Sequence, residues 1–247
     1  MTTTVVTGAT GRLGRPTVQR LHAAGHEVRA LSRRSGPGLV TGDLLTGAGV
    51  GAALAGADVV VHLATGRDDA TAARTLVGAA ATAGVEHLVV VSIVGIEDIP
   101  LGYYRQKLAV EQVVRESGVP ATVLRATQFH PLVEALLTVQ RFSPVVLAPT
   151  FRLQPIAVED VADRLVELSG AAPAGRVPDI GGPEQRTVRD LARAWARATG
   201  TRRPVVPLTL PGRLFGGYAA GHALVPGPPY GRRTFAEHLA GRAGAVR

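Results

Sequence analysis

Thr7-Gly8-Ala9-Thr10-Gly11-Arg12-Leu13-Gly14 decides the reading of this chain. A β-rich run, Thr3 to Thr7, leads into it, and a helical pattern from about Arg12 to Ala24 leaves it and stops at Gly25. Glycines recurring every third residue between a strand and a helix have separate tasks. Gly8 permits a tight turn, Gly11 lets backbone approach a pyrophosphate, and Gly14 lets the helix pack closely on the strand. The helix N-terminus then offers free N–H groups and the positive end of its dipole to the phosphates, with Thr10, Arg12 and Leu13 completing the loop.

Outward from this turn the chain alternates. Strands are expected at Glu27 to Leu31, Gly38 to Thr41, Asp58 to Leu63, His87 to Ser92 and Ala121 to Leu124. Helices are expected at Thr46 to Ala55, Asp69 to Ala83 and Gly102 to Ser117. The runs DVVVHL and HLVVVS are continuously apolar and β-branched, as befits parallel strands buried on both faces. The order β-α-β requires right-handed crossovers, giving an α/β, Rossmann-type, doubly wound parallel sheet. After Gln128 the rhythm loosens. Helices are expected near Leu132 to Gln140, Glu159 to Leu168 and Val188 to Thr199, with strands near Val145 and at Pro155 to Val158. The Pro- and Gly-rich stretch Thr201 to Tyr230 reads as a small loop-rich C-terminal substrate cap and not as a second core. One domain over 1–247 is expected, with a nucleotide-binding core at 1–128 and a mixed substrate and cap region at 129–247.

Composition narrows the function. Forty-six per cent of residues are hydrophobic and only 4% aromatic, so the core rests on Val, Leu, Ile and Ala. With no cysteine, disulfides and thiolate metal sites are excluded, and no HExxH or carboxylate cluster suggests a metal. The N-terminus lacks a basic leader, and no apolar run reaches membrane length, so a soluble cytoplasmic protein without membrane contact is expected, as monomer or homodimer. The net charge of +8 is spread over scattered arginines without a basic helix, which argues against nucleic acid. Among 27 basic residues the one lysine is Lys107.

The end of the second strand selects the nucleotide. An Asp or Glu there binds a ribose 2′-hydroxyl and repels a 2′-phosphate. This chain has Ser32-Arg33-Arg34, with Arg12 nearby, and guanidinium forks suit phosphate, so NADP(H) is expected. Asp43 and Leu44 after the third strand would face the adenine. Leu63, Ala64 and Thr65 would line the ribose side, with Ala126 and Thr127 completing the cofactor wall.

Several motifs together resemble the atypical branch of the short-chain dehydrogenase/reductase superfamily, specifically its NmrA-like group. They are TGATGRLG, the VVVS strand ending at Ser92, Tyr103-xxx-Lys107 leading into Glu111, and SGVPATVLRATQF. IAVEDVA, IGGPEQRTVRDLA and the closing GRRTFAEHLA extend the likeness over nearly the whole chain. The group holds NAD(P)H-dependent reductases of quinones and ketones and also redox sensors that bind the nucleotide without turning it over.

The resemblance implies a proton donor and its helper. Tyr103 and Lys107 stand four apart, on one face of a helix. In such reductases the phenol gives its proton to the substrate oxygen as hydride arrives, and a lysine ammonium favours the phenolate and holds the nicotinamide ribose. Ser92 would hold the carbonyl oxygen. Tyr104 adjoins Tyr103, and sequence alone leaves either as the donor. Gln128, Phe129 and His130 are expected to border a small carbonyl or quinone substrate. The reading is an NADPH-dependent oxidoreductase; a non-catalytic redox sensor and a non-redox isomerase or cyclase are its alternatives.

Overall fold

The computed structural model describes residues 1–66 and 68–244. In chain order its elements begin β1 (Thr3–Thr7), α1 (Gly14–Ala23), β2 (Glu27–Ser32), β3 (Leu39–Thr41), α2 (Val50–Leu54), β4 (Val59–His62), α3 (Asp69–Ala83) and β5 (His87–Ile93). Next come α4 (Gly102–Glu116), β6 (Ala121–Ala126), α5 (His130–Thr138), β7 (Val146–Pro149), β8 (Arg152–Leu153) and α6 (Val158–Ser169). The remainder is β9 (Gly175–Arg176), β10 (Arg186–Thr187), α7 (Val188–Thr199), β11 (Val205–Leu208), α8 (Arg213–Ala219) and α9 (Phe235–Gly244). None of the described helices is long and apolar enough to cross a membrane.

The chain forms two compact units with interleaved segments. The first comprises Met1–Ser92, Gly102–Arg125 and Val161–Pro178, and the second Ile93–Leu101, Ala126–Asp160 and Asp179–Arg247. The first is built on a seven-stranded parallel sheet ordered β3-β2-β1-β4-β5-β6-β9. Val5 and Val6, which point to opposite faces of β1, are both fully buried, so helices cover the sheet on both sides. Leu31, Val60, Leu76, Leu88 and Val110 belong to one apolar cluster there. A buried bidentate pair ties α4 to β6: Arg125 donates from Nε to Glu111 Oε1 at 2.8 Å and from Nη2 to Oε2 at 2.6 Å.

The second unit has its own core, drawn mainly from segments outside the Thr201 to Tyr230 stretch expected to be a loop-rich cap. Val133, Leu137, Val146, Leu191, Trp195, Phe235 and Leu239 cluster there, with Val205 and Tyr218 packed against them. Its ladders are short: β7 pairs parallel with β11, and β8 antiparallel with β10.

Several boundaries move for local reasons. The strand expected at Pro155 to Val158 shrinks to an isolated bridge between Phe129 and Ile156, because Val158 already opens α6. The helix expected from Thr46 begins only at Val50, since Gly47 and Gly49 have φ of 80° and 73°. The helix expected from Leu132 starts two residues earlier, with Pro131 in its first turn. α3 and α7 keep the expected limits, each stopped by a left-handed glycine, Gly84 and Gly200.

Buried imidazoles give the fold an acid limit. Burial pushes His62 down to about 3 and His130 to about 4, from the usual 6.5. Below pH 6.5 the unfolded chain takes up protons that the folded one refuses. Their stabilisation is therefore complete above pH 6.5 and is lost as pH falls towards these folded values, by up to about 1.4 kcal/mol per pH unit for each ring. Thermal melts should show Tm falling already between pH 6.5 and 5, before most carboxylates titrate, with a shallower fall in His130→Asn. A Tm independent of pH over that interval would contradict the assignment.

Candidate cofactor and active site

The glycine turn has the geometry its sequence promised. Gly8 has φ of 65°, and a Cβ there would lie 2.7 Å from the Ala64 nitrogen. A Cβ on Gly14 would lie 2.1 Å from the Gly8 carbonyl oxygen, so no larger residue fits without moving backbone. The Gly11 N–H closes the turn on Gly8 O at 2.9 Å. α1 opens at Leu13 without a side-chain cap, and Thr10, Gly11 and Arg12 are exposed while Leu13 is buried. An open, uncapped helix start behind a backbone-tight turn suits a diphosphate.

Around it stand the other expected groups of the first unit. Ser32 ends β2 and accepts the Arg34 N–H at 3.0 Å, leaving Arg33 and Arg34 exposed. No acid occupies this strand end. Asp43 is held in a turn by the Leu45 N–H at 2.9 Å, and Leu44 is buried beside it. Leu63 and Ala64 donate their N–H groups to Thr7 Oγ1, each at 3.1 Å. With both of its acceptor positions filled, the Thr7 hydroxyl must donate to His62 Nδ1, 2.8 Å away, which puts the imidazole proton on Nε2. His62 is thereby a neutral strut beneath the loop.

The lone lysine is buried and paired. Lys107 is only 7% exposed, and its Nζ lies 3.1 Å from Asp69 Oδ2. Asp69, itself buried at the start of α3, also accepts from the Gly66 N–H and from Thr65 Oγ1 at 2.8 Å. Because the Thr65 proton is committed to this carboxylate, the Tyr103 hydroxyl donates to Thr65 Oγ1 across 3.4 Å. The ammonium lies 5.9 Å from the centre of the Tyr103 ring. Tyr103 is 44% exposed, whereas Tyr104 is 5% exposed and turned into the core. Ser92 ends within β5, with its Oγ enclosed and without a partner among the described residues.

Sequence reasoning missed Asp69, which it took as a helix start only. The available signal was physical: a sole lysine that sits on a buried helix face needs a carboxylate, and Asp68-Asp69 open the neighbouring helix. Asp68 does the capping, accepting the Thr71 N–H at 3.2 Å, which leaves Asp69 free for Lys107.

Ala126, Thr127, Gln128, Phe129 and His130 belong to the second unit. Ala126 is buried, and Thr127 donates its N–H to Ile180 O at 3.0 Å and its hydroxyl to Gln154 O. Gln128 is buried, and Phe129 is half-buried. His130, expected at a substrate border, is fully enclosed instead. Its Nε2 donates to Pro155 O at 3.1 Å, and its ring packs on Phe235 and His238.

Comparison with known proteins points to a nucleotide-binding chain. A family model of NAD(P)H-binding proteins matches residues 8–170. A (4-alkanoyl-5-oxo-2,5-dihydrofuran-3-yl)methyl phosphate reductase of Streptomyces griseus subsp. griseus is 33% identical over 210 residues, covering 79% of this chain and 73% of that protein. A ceramide reductase of Caulobacter vibrioides is 30% identical over 244 residues, covering 86% and 75% respectively. The crystal structure of an NADPH-dependent quinone oxidoreductase of Escherichia coli, complexed with NADPH, matches with a TM-score of 0.81. It covers 97% of this chain and 99% of that one at 20% identity, a likeness of fold. The fold is that of the superfamily the sequence resembles. With more than half its length matched by the family model and a relative one-third identical over most of both chains, this chain belongs to the NAD(P)H-binding family.

Proposed function

We propose that the protein is an NADPH-dependent reductase of a small carbonyl or quinone substrate, with Tyr103 as proton donor. The observation that carries this reading is the arrangement of Tyr103, Lys107 and Asp69: a half-exposed phenol beside the chain's sole, buried ammonium. A solvated surface lysine would not be sequestered in this way. Tyr104, turned inward, is the weaker candidate. Two relatives named as reductases support the redox class.

The residues fit a dinucleotide. Gly8 and Gly14 form a cradle that any Cβ would fill, and the exposed Thr10 to Arg12 backbone is open to a diphosphate. Arg33 and Arg34, with Arg12, would hold a 2′-phosphate at a strand end that carries no competing acid. When bound, the reduced nicotinamide supplies a hydride. Lys107 would reach the nicotinamide ribose with its remaining N–H groups. Thr65 Oγ1, 3.4 Å from the Tyr103 oxygen, would hold the phenol in place until its proton turns to the substrate. Ser92 would bind the substrate oxygen only if its enclosed hydroxyl becomes accessible, and His130, spent on packing, is left out of the proposal.

The cofactor choice is tested by titration. NADPH should bind at least tenfold more tightly than NADH, and Arg33→Ala should remove most of that preference, on the scale of lost charge-assisted bonds. Equal affinities in the unmodified protein would refute the 2′-phosphate assignment.

The catalytic assignment is tested by three variants. Tyr103→Phe should keep NADPH affinity while kcat falls by about 10²–10⁴, the usual worth of a general acid. Tyr104→Phe should leave kcat within a few-fold. Lys107→Arg keeps the charge but neither the compact donor geometry nor the fit to Asp69, and should lose most turnover in a folded protein. Near-normal kcat in both Tyr103→Phe and Lys107→Arg would overturn the assignment.

A further inference from the structure

The second unit contains a cavity of about 530 Å³, within the range of small-molecule sites. Two guanidinium groups line it, Arg152 from β8 and Arg189 from the first turn of α7, and no Asp or Glu does. Neither guanidinium has a hydrogen bond or ion pair among the described residues. Elsewhere the chain pairs its arginines where acids are near, as with Arg186 and Glu184 two residues before α7. The acid in the same first turn, Asp190, is already engaged, accepting from the Thr187 hydroxyl at 2.6 Å and donating its N–H back to it at 3.1 Å.

The rest of the lining has a different character. Phe151 and Tyr218 stack at 4.9 Å between ring centres and 20° between planes, and both face the cavity. A second hollow of about 270 Å³ shares Phe151 and continues over Leu210 and Phe215. The lining thus combines two guanidiniums that have no hydrogen bond or ion pair among the described residues with an aromatic and aliphatic wall.

We propose that this cavity binds an organic oxyanion, a phosphate or carboxylate joined to an apolar body, with the anion held by Arg152 and Arg189 and the body lying along Phe151, Tyr218 and the adjoining hollow. The site lies within the second unit and needs no nucleotide, so it stands or falls separately from the redox reading. If both hold, the reductase acts on, or is controlled by, compounds of this class.

Calorimetric titration tests it on the full chain saturated with NADP⁺, which occupies any phosphate site in the glycine turn. Hexyl phosphate and hexanoate are the probes, and hexanol is the neutral control. At least one anion should bind, hexanol at least about tenfold more weakly, and Arg152→Ala and Arg189→Ala should each weaken the anion about tenfold. Arg115→Ala, at an exposed position of the first unit, should leave it unchanged. Both arginines are exposed, so the variants should keep the unmodified Tm. Absence of binding by both anions, equal binding of hexanol, binding indifferent to Arg152 and Arg189, or binding lost in Arg115→Ala would each overturn the proposal.

Discussion

The first unit is organised around a buried ion pair. Taking the Lys107 ammonium and the Asp69 carboxylate out of water costs several kcal/mol for each ion, and their attraction offsets this only if the remaining hydrogen-bonding positions are filled. Here the Gly66 N–H and Thr65 hydroxyl fill the carboxylate's other positions. The pair therefore dictates more than its own geometry. It fixes the start of α3 against α4, holds the loop after β4 in place through Thr65, and sets the Tyr103 hydroxyl beside that same threonine. Losing either partner leaves an uncompensated charge in the interior, so the side chains that would do chemistry also maintain local structure.

A second constraint works at the other end of the same loop. The backbone-tight contact of Gly8 with Ala64 and of Gly14 with Gly8 brings β1, α1 and the segment after β4 together. Thr7 and His62 lock that segment from below through a neutral imidazole. Backbone packs tightly at Gly8 and Gly14, while Thr10, Gly11 and the arginines proposed to meet the phosphates are exposed. This division fits a protein that binds a large anion without moving its frame.

The legible features had local causes. The glycine spacing announced the turn, the apolar runs announced buried parallel strands, and Gly84 and Gly200 marked the ends of α3 and α7. Lys107 stood out in the sequence as the sole lysine, and it is buried in the structure. What escaped depends on partners distant in sequence. Asp69 looked like a helix-start acid because its lysine lies in another helix. The core of the second unit was hidden because it gathers a few residues each from α5, β7, α7 and α9, which are far apart in sequence. His130 looked available because it follows a strand, but α9 supplies Phe235 and His238 to pack against it. Helix, strand and turn propensities do not contain these pairings.

The most direct measurement follows the hydride. The purified protein is incubated with NADPH deuterated at the nicotinamide C4 position and a panel of aldehydes, ketones and quinones, and the products are analysed by mass spectrometry. For at least one substrate, the loss of reduced-nicotinamide absorbance should match product formed; the alcohol formed from a ketone or aldehyde should carry the deuterium on its former carbonyl carbon. Tight NADPH binding with no oxidation across the panel would contradict the account and identify a protein that reads the nucleotide without spending it.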